Sequence, residues 1–287
     1  MASVAVVTDT THYAPRDLVA ASGVREVSLY VNEGGEAQRE ADMGDFGEFY
    51  DRLRTVQELP TTSQPSIGDF LGVYGALADE GHDVVSVHLA GGISGTVESA
   101  RQAAEELMRE RPARRVEVID SRKACGALAF AALAGAARAR AGGDVEQVAA
   151  RVREASETVR LWFAVDTLEF LRRGGRIGTA QAWLGGALKI KPILTVDGEI
   201  TPVERVRTAG RALERMIELL RSQHADGHDG YVIQHIQAPE QAARLVAAGR
   251  EIFGTEPLFV SEIGPVIGTH VGPGLLGVGG GPSALLR

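Results

Sequence analysis

The chain has 287 residues, 44% of them hydrophobic and 24% charged, with a formal net charge of −8. At roughly 150 residues per domain, this length suggests one large or two ordinary domains, and the mixed composition excludes general disorder. The acidic balance argues against nucleic-acid binding through the overall field. Cys125 is the only cysteine, which excludes an internal disulfide and a cysteine-rich zinc site.

In chain order, Val4–Val7 predicts a buried strand ending in Thr8-Asp9-Thr10-Thr11, with a helix after Pro15. Thr62 and Ser63 are expected in a loop before a helix over 67–79, whose start is marked by Ser66 and Asp69 at N-cap and N3 spacing. Asp83–Leu89 is a second strand, followed by Ala90-Gly91-Gly92-Ile93-Ser94-Gly95-Thr96 and a helix to about Arg109. Val116–Ile119 is a third, followed by Asp120-Ser121 and an alanine-rich helix. Non-alternating strands interleaved with helices predict a parallel sheet covered on both faces, with ligands beyond the strands' carboxyl ends.

The second half changes character. Leu161–Val165 reads as a strand and Thr167–Arg172 as a short helix. Asp197-Gly198 between two partly alternating runs is a strong hairpin signal. Helices are expected near 209–221 and 239–253, with strands at 231–236, 258–260 and 266–267 completing a mixed sheet. The fold class is therefore α/β with two α/β domains, 1–158 around a mostly parallel sheet and 159–287 around a mixed or antiparallel one. No basic region precedes the short apolar run at Val4–Val7, and Ala124–Ala137 is shorter than the roughly 20 residues a membrane span needs. A cytoplasmic protein is the expectation.

Several signatures are absent. There is no Gly-Lys dipeptide for a Walker-type loop. Gly92-Ile93-Ser94-Gly95-Thr96 lacks the glycine two residues after the serine that a nucleophile elbow requires. His224 and His228 have metal-pair spacing but sit in polar, Gly-broken sequence and are expected in a solvated loop. Asp9 could be a metal ligand or catalytic acid, or could hydrogen-bond loop amides.

Other residues suit an anionic ligand. Ser94 lies where a helix begins, a place that favours anions and also suits a plain N-cap serine. Of the 30 basic residues 27 are arginine, whose planar fork matches carboxylate and phosphate oxygens. Arg172, Arg173 and Arg176 flank a Gly pair, and Arg205 and Arg207 lie two apart on an expected strand, hence on one face. His270 falls in a Gly/Pro-bounded turn, equally open to a ligand role or a bond to backbone.

Ordered segments across nearly the whole chain resemble the DegV family of bacterial fatty acid-binding proteins. They are Val-Thr-Asp-Thr-Thr at 7–11, Thr-Ser-Gln-Pro-Ser at 62–66, Ile-Ser-Gly-Thr at 93–96 and Asp-Ser at 120–121. Leu-Arg-Arg-Gly-Gly-Arg-Ile at 171–177, Ile-Lys-Pro-Ile-Leu at 190–194, Val-Arg-Thr at 206–208 and Ile-Gly-Thr-His-Val-Gly-Pro-Gly at 267–274 follow. The chain departs from the family pattern at His88–Gly92, where a pair of serines is usual, and at Arg122–Gly126.

The resemblance implies one long-chain fatty acid held between two domains, its acyl chain in an apolar tunnel. Thr62 and Ser94 would contact the carboxylate with His270 close by, supported by Ser63, Gly95 and Thr96. A fatty acid kinase would phosphorylate the bound carboxylate, with Arg172, Arg173, Arg176, Arg205 and Arg207 facing that partner or its phosphate. Membrane contact for lipid exchange would be transient, and neither cofactor, metal nor nucleic acid would be needed. Two alternatives compete: an acyl-transfer or hydrolytic enzyme with Ser94 as nucleophile and His270 as base, and a doubly wound nucleotide-binding enzyme.

Overall fold

The computed structural model describes residues 3–184 and 190–287. The first half runs β1 (Val4–Asp9), α1 (Arg16–Ser22), β2 (Arg25–Val27), β3 (Tyr30–Glu33), β4 (Glu36–Arg39), α2 (Gly47–Leu53) and β5 (Thr61–Ser63). It continues through α3 (Ile67–Asp79), β6 (Asp83–His88), α4 (Thr96–Glu110), β7 (Val116–Asp120), α5 (Cys125–Arg140) and α6 (Val145–Thr158). Then come β8 (Arg160–Ala164), α7 (Glu169–Arg173), β9 (Lys191–Asp197), β10 (Glu199–Val206), α8 (Ala209–Ala225) and β11 (Gly230–His235). The chain ends with α9 (Pro239–Phe253), β12 (Phe259–Glu262), α10 (Pro265–Val271) and β13 (Leu276–Gly281).

The architecture is α/β. Strands β2-β1-β6-β7 form an all-parallel sheet. Adjacent valines point to opposite faces, which is why these strands do not alternate in sequence. Val7 and Val84 pack with Phe70, Tyr74 and Leu107 of α3 and α4, whereas Val6, Val85 and Val87 belong to the cluster containing Leu128 of α5 and Val148 of α6. The start of α3 follows its sequence signal: Ser66 accepts from Asp69 N, and Ser66 N donates to the Asp69 carboxylate.

The second sheet has the order β10-β9-β8-β13-β11-β12 and is antiparallel except for the β11–β12 pair. The Asp197-Gly198 turn joins β9 to β10 as the sequence predicts, with Gly198 at φ 82°. Helices α8 and α9 cover one face, where Leu213, Met216 and Leu220 pack with Tyr231 and Leu245. Helix α5 contacts β1 and β6 of the first sheet and β8, β11 and β13 of the second. That position between sheets explains its small, apolar composition, because up to Ala137 every residue but the half-buried Leu133 is buried, and only the arginine-bearing last turn reaches solvent.

Three local expectations are corrected. Thr62 and Ser63 form strand β5 rather than a loop, pairing with β3 in a three-stranded antiparallel sheet, β4-β3-β5. Three residues are too few for periodicity to announce. Val266–Ile267 is helical, not a strand: Pro265 opens α10 and the Thr269 hydroxyl bonds back to its carbonyl. A short apolar run flanked by Gly and Pro does not distinguish the two by pattern. His270 accordingly sits in the last turn of a helix, and glycine-rich Leu276–Gly281 supplies the strand.

Candidate functional site

A cavity of about 280 Å³ opens between the two main sheets. Its walls are apolar: Leu29, Leu89 and Ala124 from the first half, Leu161, Phe163, Val196 and Ile200 from the second. Helix α10 and its approach add Ile263, Val266, Ile267 and Val271. Thr62, Ser63, Gln64, Ser94, Gly95, Arg176 and His270 provide polar and backbone groups in the lining. Thr96 is fully buried behind Ser94, with the two hydroxyl oxygens 2.9 Å apart.

Thr62 Oγ1 lies 2.8 Å from His270 Nε2. Burial, with Arg176 beside it, pushes the His270 pKa down to about 4, so the imidazole is neutral near pH 7. Its Nδ1 is buried without a hydrogen-bond partner among the described residues and faces Gly174, where a Cβ would come within 2.4 Å. Ser94 is not the N-cap: Gly95 takes that position in α4, and Ser94 Oγ accepts from Thr96 N at 3.3 Å. The hydrogen bonds made by Ser94 and His270 do not join them, and among the described residues no acid orients His270 Nδ1. This geometry disfavours a serine–histidine nucleophile.

The arginines divide. Arg176 lines the cavity and donates to the Gly174 carbonyl at 2.8 Å and the Ile93 carbonyl at 3.4 Å. Arg172 is paired with Glu169, and Arg173 donates to the Gln57 carbonyl. Arg205 lies 5.3 Å from the Trp183 ring centre, in a cation–π arrangement. Arg207 falls one residue beyond the end of β10, and it and Arg205 flank the buried Val206. Both are exposed.

Two other expectations are answered. Asp9 is fully buried and accepts from Thr11 N, the Thr11 hydroxyl and Leu89 N, while His88 Nδ1 lies 3.0 Å away. Burial alone would raise its pKa, but these bonds hold it below the ordinary value. Ser86, His88 and Asp9 thus make a triad-like chain, with Ser86 Oγ 2.7 Å from His88 Nε2. All three are fully buried and none lines the cavity, so the chain fixes strand ends and the root of the Ser94 loop. His224 lies in the last turn of α8, edge-on to Phe253, and His228 is buried beyond it. The solvated-loop expectation holds in part for each: His224 is exposed but helical, because α8 runs on past Arg221, and His228 lies in the turn after α8 but is buried. Among the described residues no group of three or more His, Cys, Asp or Glu could hold a metal, and no helix is long and apolar enough to cross a membrane.

The sequence reading missed several residues around the cavity. Gln234 lines it, yet its amide is fully used: Oε1 accepts from Gly126 N at 2.6 Å, and Nε2 donates to the His12 carbonyl and Ser261. Glu40 is 3% exposed, although it stands in Gln38-Arg39-Glu40-Ala41-Asp42, which reads as a surface. Nothing in the local pattern marks it as buried.

A family model described as "Uncharacterised protein, DegV family" matches residues 3–281. A DegV domain-containing protein of Streptomyces coelicolor is 39% identical over 278 residues, covering 96% of this chain and 97% of that one. A DegV family protein from Thermus thermophilus, solved in connection with fatty acid binding, is 34% identical with a TM-score of 0.88, covering 98% and 99% of the two chains. DegV of Bacillus subtilis, described as a fatty acid binding protein, is 36% identical with a TM-score of 0.87, covering 97% and 99%. With the fold and nearly the full length matched, the chain belongs to the DegV family.

Proposed function

We propose that this protein binds one long-chain fatty acid in the cavity between its sheets and presents the carboxylate to a fatty acid kinase. The observation that carries this reading is an apolar cavity whose polar lining includes Thr62, Ser63, Ser94 and His270, with Arg176 beside them. The division at residues 158 and 159 into two domains belongs to the same proposal, with the ligand between them.

The chemistry is that of a carrier. Fully burying 15 methylenes at about 0.8 kcal/mol each contributes on the order of 12 kcal/mol before entropy and strain. The carboxylate needs donors, since burying it unpaired is costly. Because His270 Nδ1 has no partner among the described residues, the neutral ring is best assigned its proton on Nε2, donating to Thr62 Oγ1. Thr62 then directs its own hydroxyl proton to the ligand. Ser94 supplies a second hydroxyl, and Arg176 a cation that stabilises the carboxylate, or an acyl phosphate formed from it. Ser63, Gly95 and Thr96 shape the surrounding loops.

Arg172, Arg173, Arg205 and Arg207 then form the outer basic rim for the kinase. The carrier would work in the cytoplasm and touch the membrane only to exchange lipid, with neither cofactor nor catalytic step of its own. Organic extraction of the purified protein followed by mass spectrometry tests the reading. One equivalent of fatty acid is expected; bound nucleotide, or no lipid after saturation with fatty acid, overturns it.

A further inference from the structure

The cavity wall formed by Ile263–Val271 is held from behind by a buried polar cluster. Glu40 Oε1 accepts from Val266 N and from the Tyr13 hydroxyl, each at 2.8 Å, and Oε2 lies 2.7 Å from Thr10 Oγ1. The Tyr13 oxygen accepts from Ile267 N at 3.2 Å, and the Tyr50 hydroxyl donates to the Ile263 carbonyl at 2.6 Å. A Cβ at Gly264 would sit 2.6 Å from the Tyr13 ring and 2.8 Å from Glu40 Oε1, so the backbone approaches this cluster as closely as a glycine permits. The same segment carries Ile263, Val266, Ile267, His270 and Val271 into the cavity.

We propose that Glu40 is a positioning residue for the ligand cavity, holding the α10 wall through the Val266 amide directly and the Ile267 amide by way of Tyr13, and making opening of that wall depend on the protonation of its carboxyl. As a statement about a lipid cavity this rests on the reading above; as a statement about α10 it stands alone. Burial pushes Glu40 up to about 7, against the pull of Thr10, Val266 and Tyr13. When the wall opens, the carboxyl returns to water and to its ordinary acidity. The closed state therefore holds the proton more tightly, and opening is favoured as pH rises through 7.

The hydrogen bonds accommodate both forms. The protonated carboxyl keeps Oε1 as acceptor for Tyr13 and Val266 and donates from Oε2 to Thr10 Oγ1. Glu40→Gln reproduces that pattern without charge, because its amide nitrogen donates where the protonated oxygen did. The titratable groups facing Glu40 are Asp9 and Tyr13 of the N-terminal segment, Cys125 of α5 and Tyr50 of α2, which Glu262 of β12 also influences. Asp9 titrates lower than usual, and Tyr13, Tyr50 and Cys125 higher. His270, on α10 itself, titrates in the opposite sense with opening but is common to wild type and variant.

Hydrogen exchange at Val266 and Ile267 in the purified full chain, corrected for intrinsic rates, reads the opening. The ratio of opening constants, wild type over E40Q, should rise about tenfold between pH 6 and pH 8. Tyr13→Phe removes one donor to the carboxylate and should move the midpoint of the wild-type rise to higher pH. A ratio constant from pH 6 to pH 8, or a Y13F midpoint moved downward, overturns the proposal. Lipid in the organic extract is scored separately: its absence sinks the fatty acid reading and leaves the exchange result intact.

Discussion

Thr62 and His270 stand 208 positions apart in the chain, yet Thr62 Oγ1 lies 2.8 Å from His270 Nε2. Strand β5 carries one and the last turn of α10 the other, and Gly174 closes the back of the imidazole. Gly174→Ala would press a methyl against His270 Nδ1 and displace the ring from Thr62. Fatty acid should still co-purify with this variant. The carboxyl carbon of a 13C-labelled fatty acid should shift toward its solvent-exposed NMR position, and an unchanged shift would sink the proposed wiring.

Ser94→Ala removes one proposed donor to a charged acceptor, worth about 1.5–3 kcal/mol, against the order of 12 kcal/mol from the chain. Affinity should fall roughly ten- to a hundredfold in a displacement titration, leaving lipid bound at micromolar protein. Phosphorylation of the bound carboxylate by a fatty acid kinase should fall as well. Equal rates on mutant and wild type would argue against Ser94 as a carboxylate contact.

Asp9→Asn places an NH2 donor among groups that already donate to the carboxylate, including Leu89 N and Thr11 N. It should cost about 2–4 kcal/mol in urea denaturation. The Asp9 pKa in the fold lies below its ordinary 3.8. Its contribution is therefore complete above about pH 4 and is lost as pH falls below that. Wild type should lose stability between pH 5 and pH 3 more steeply than D9N, and parallel losses would exclude this role.

Ser66→Ala breaks the reciprocal cap of α3, in which Asp69 also accepts from the Tyr30 hydroxyl. A loss of about 1 kcal/mol is expected, visible in the denaturation midpoint. Extracted lipid should be unchanged, since Ser66 is not part of the cavity lining.

The sequence by itself determined the elements whose signals are local. The parallel strands β1, β6 and β7 announce themselves as apolar runs, the Ser66 cap starts α3, the Asp197-Gly198 turn makes its hairpin, and the alanine-rich α5 declares burial by composition. Ordered motifs were enough to identify the family, because each is a short string fixed by its own backbone.

Tertiary structure decided what those strings meet. It made a strand of Thr61–Ser63 by pairing it with Tyr30–Asn32, and a helix of Pro265–Val271 by packing it beside α2 and α7. It buried Glu40 in a segment that reads as surface, because Thr10, Tyr13 and Val266 supply the partners that make burial tolerable. Periodicity, caps and turns act over a few residues, so they leave a local trace. Which buried polar group finds which partner across 208 positions depends on how the sheets and helices pack, and that leaves none.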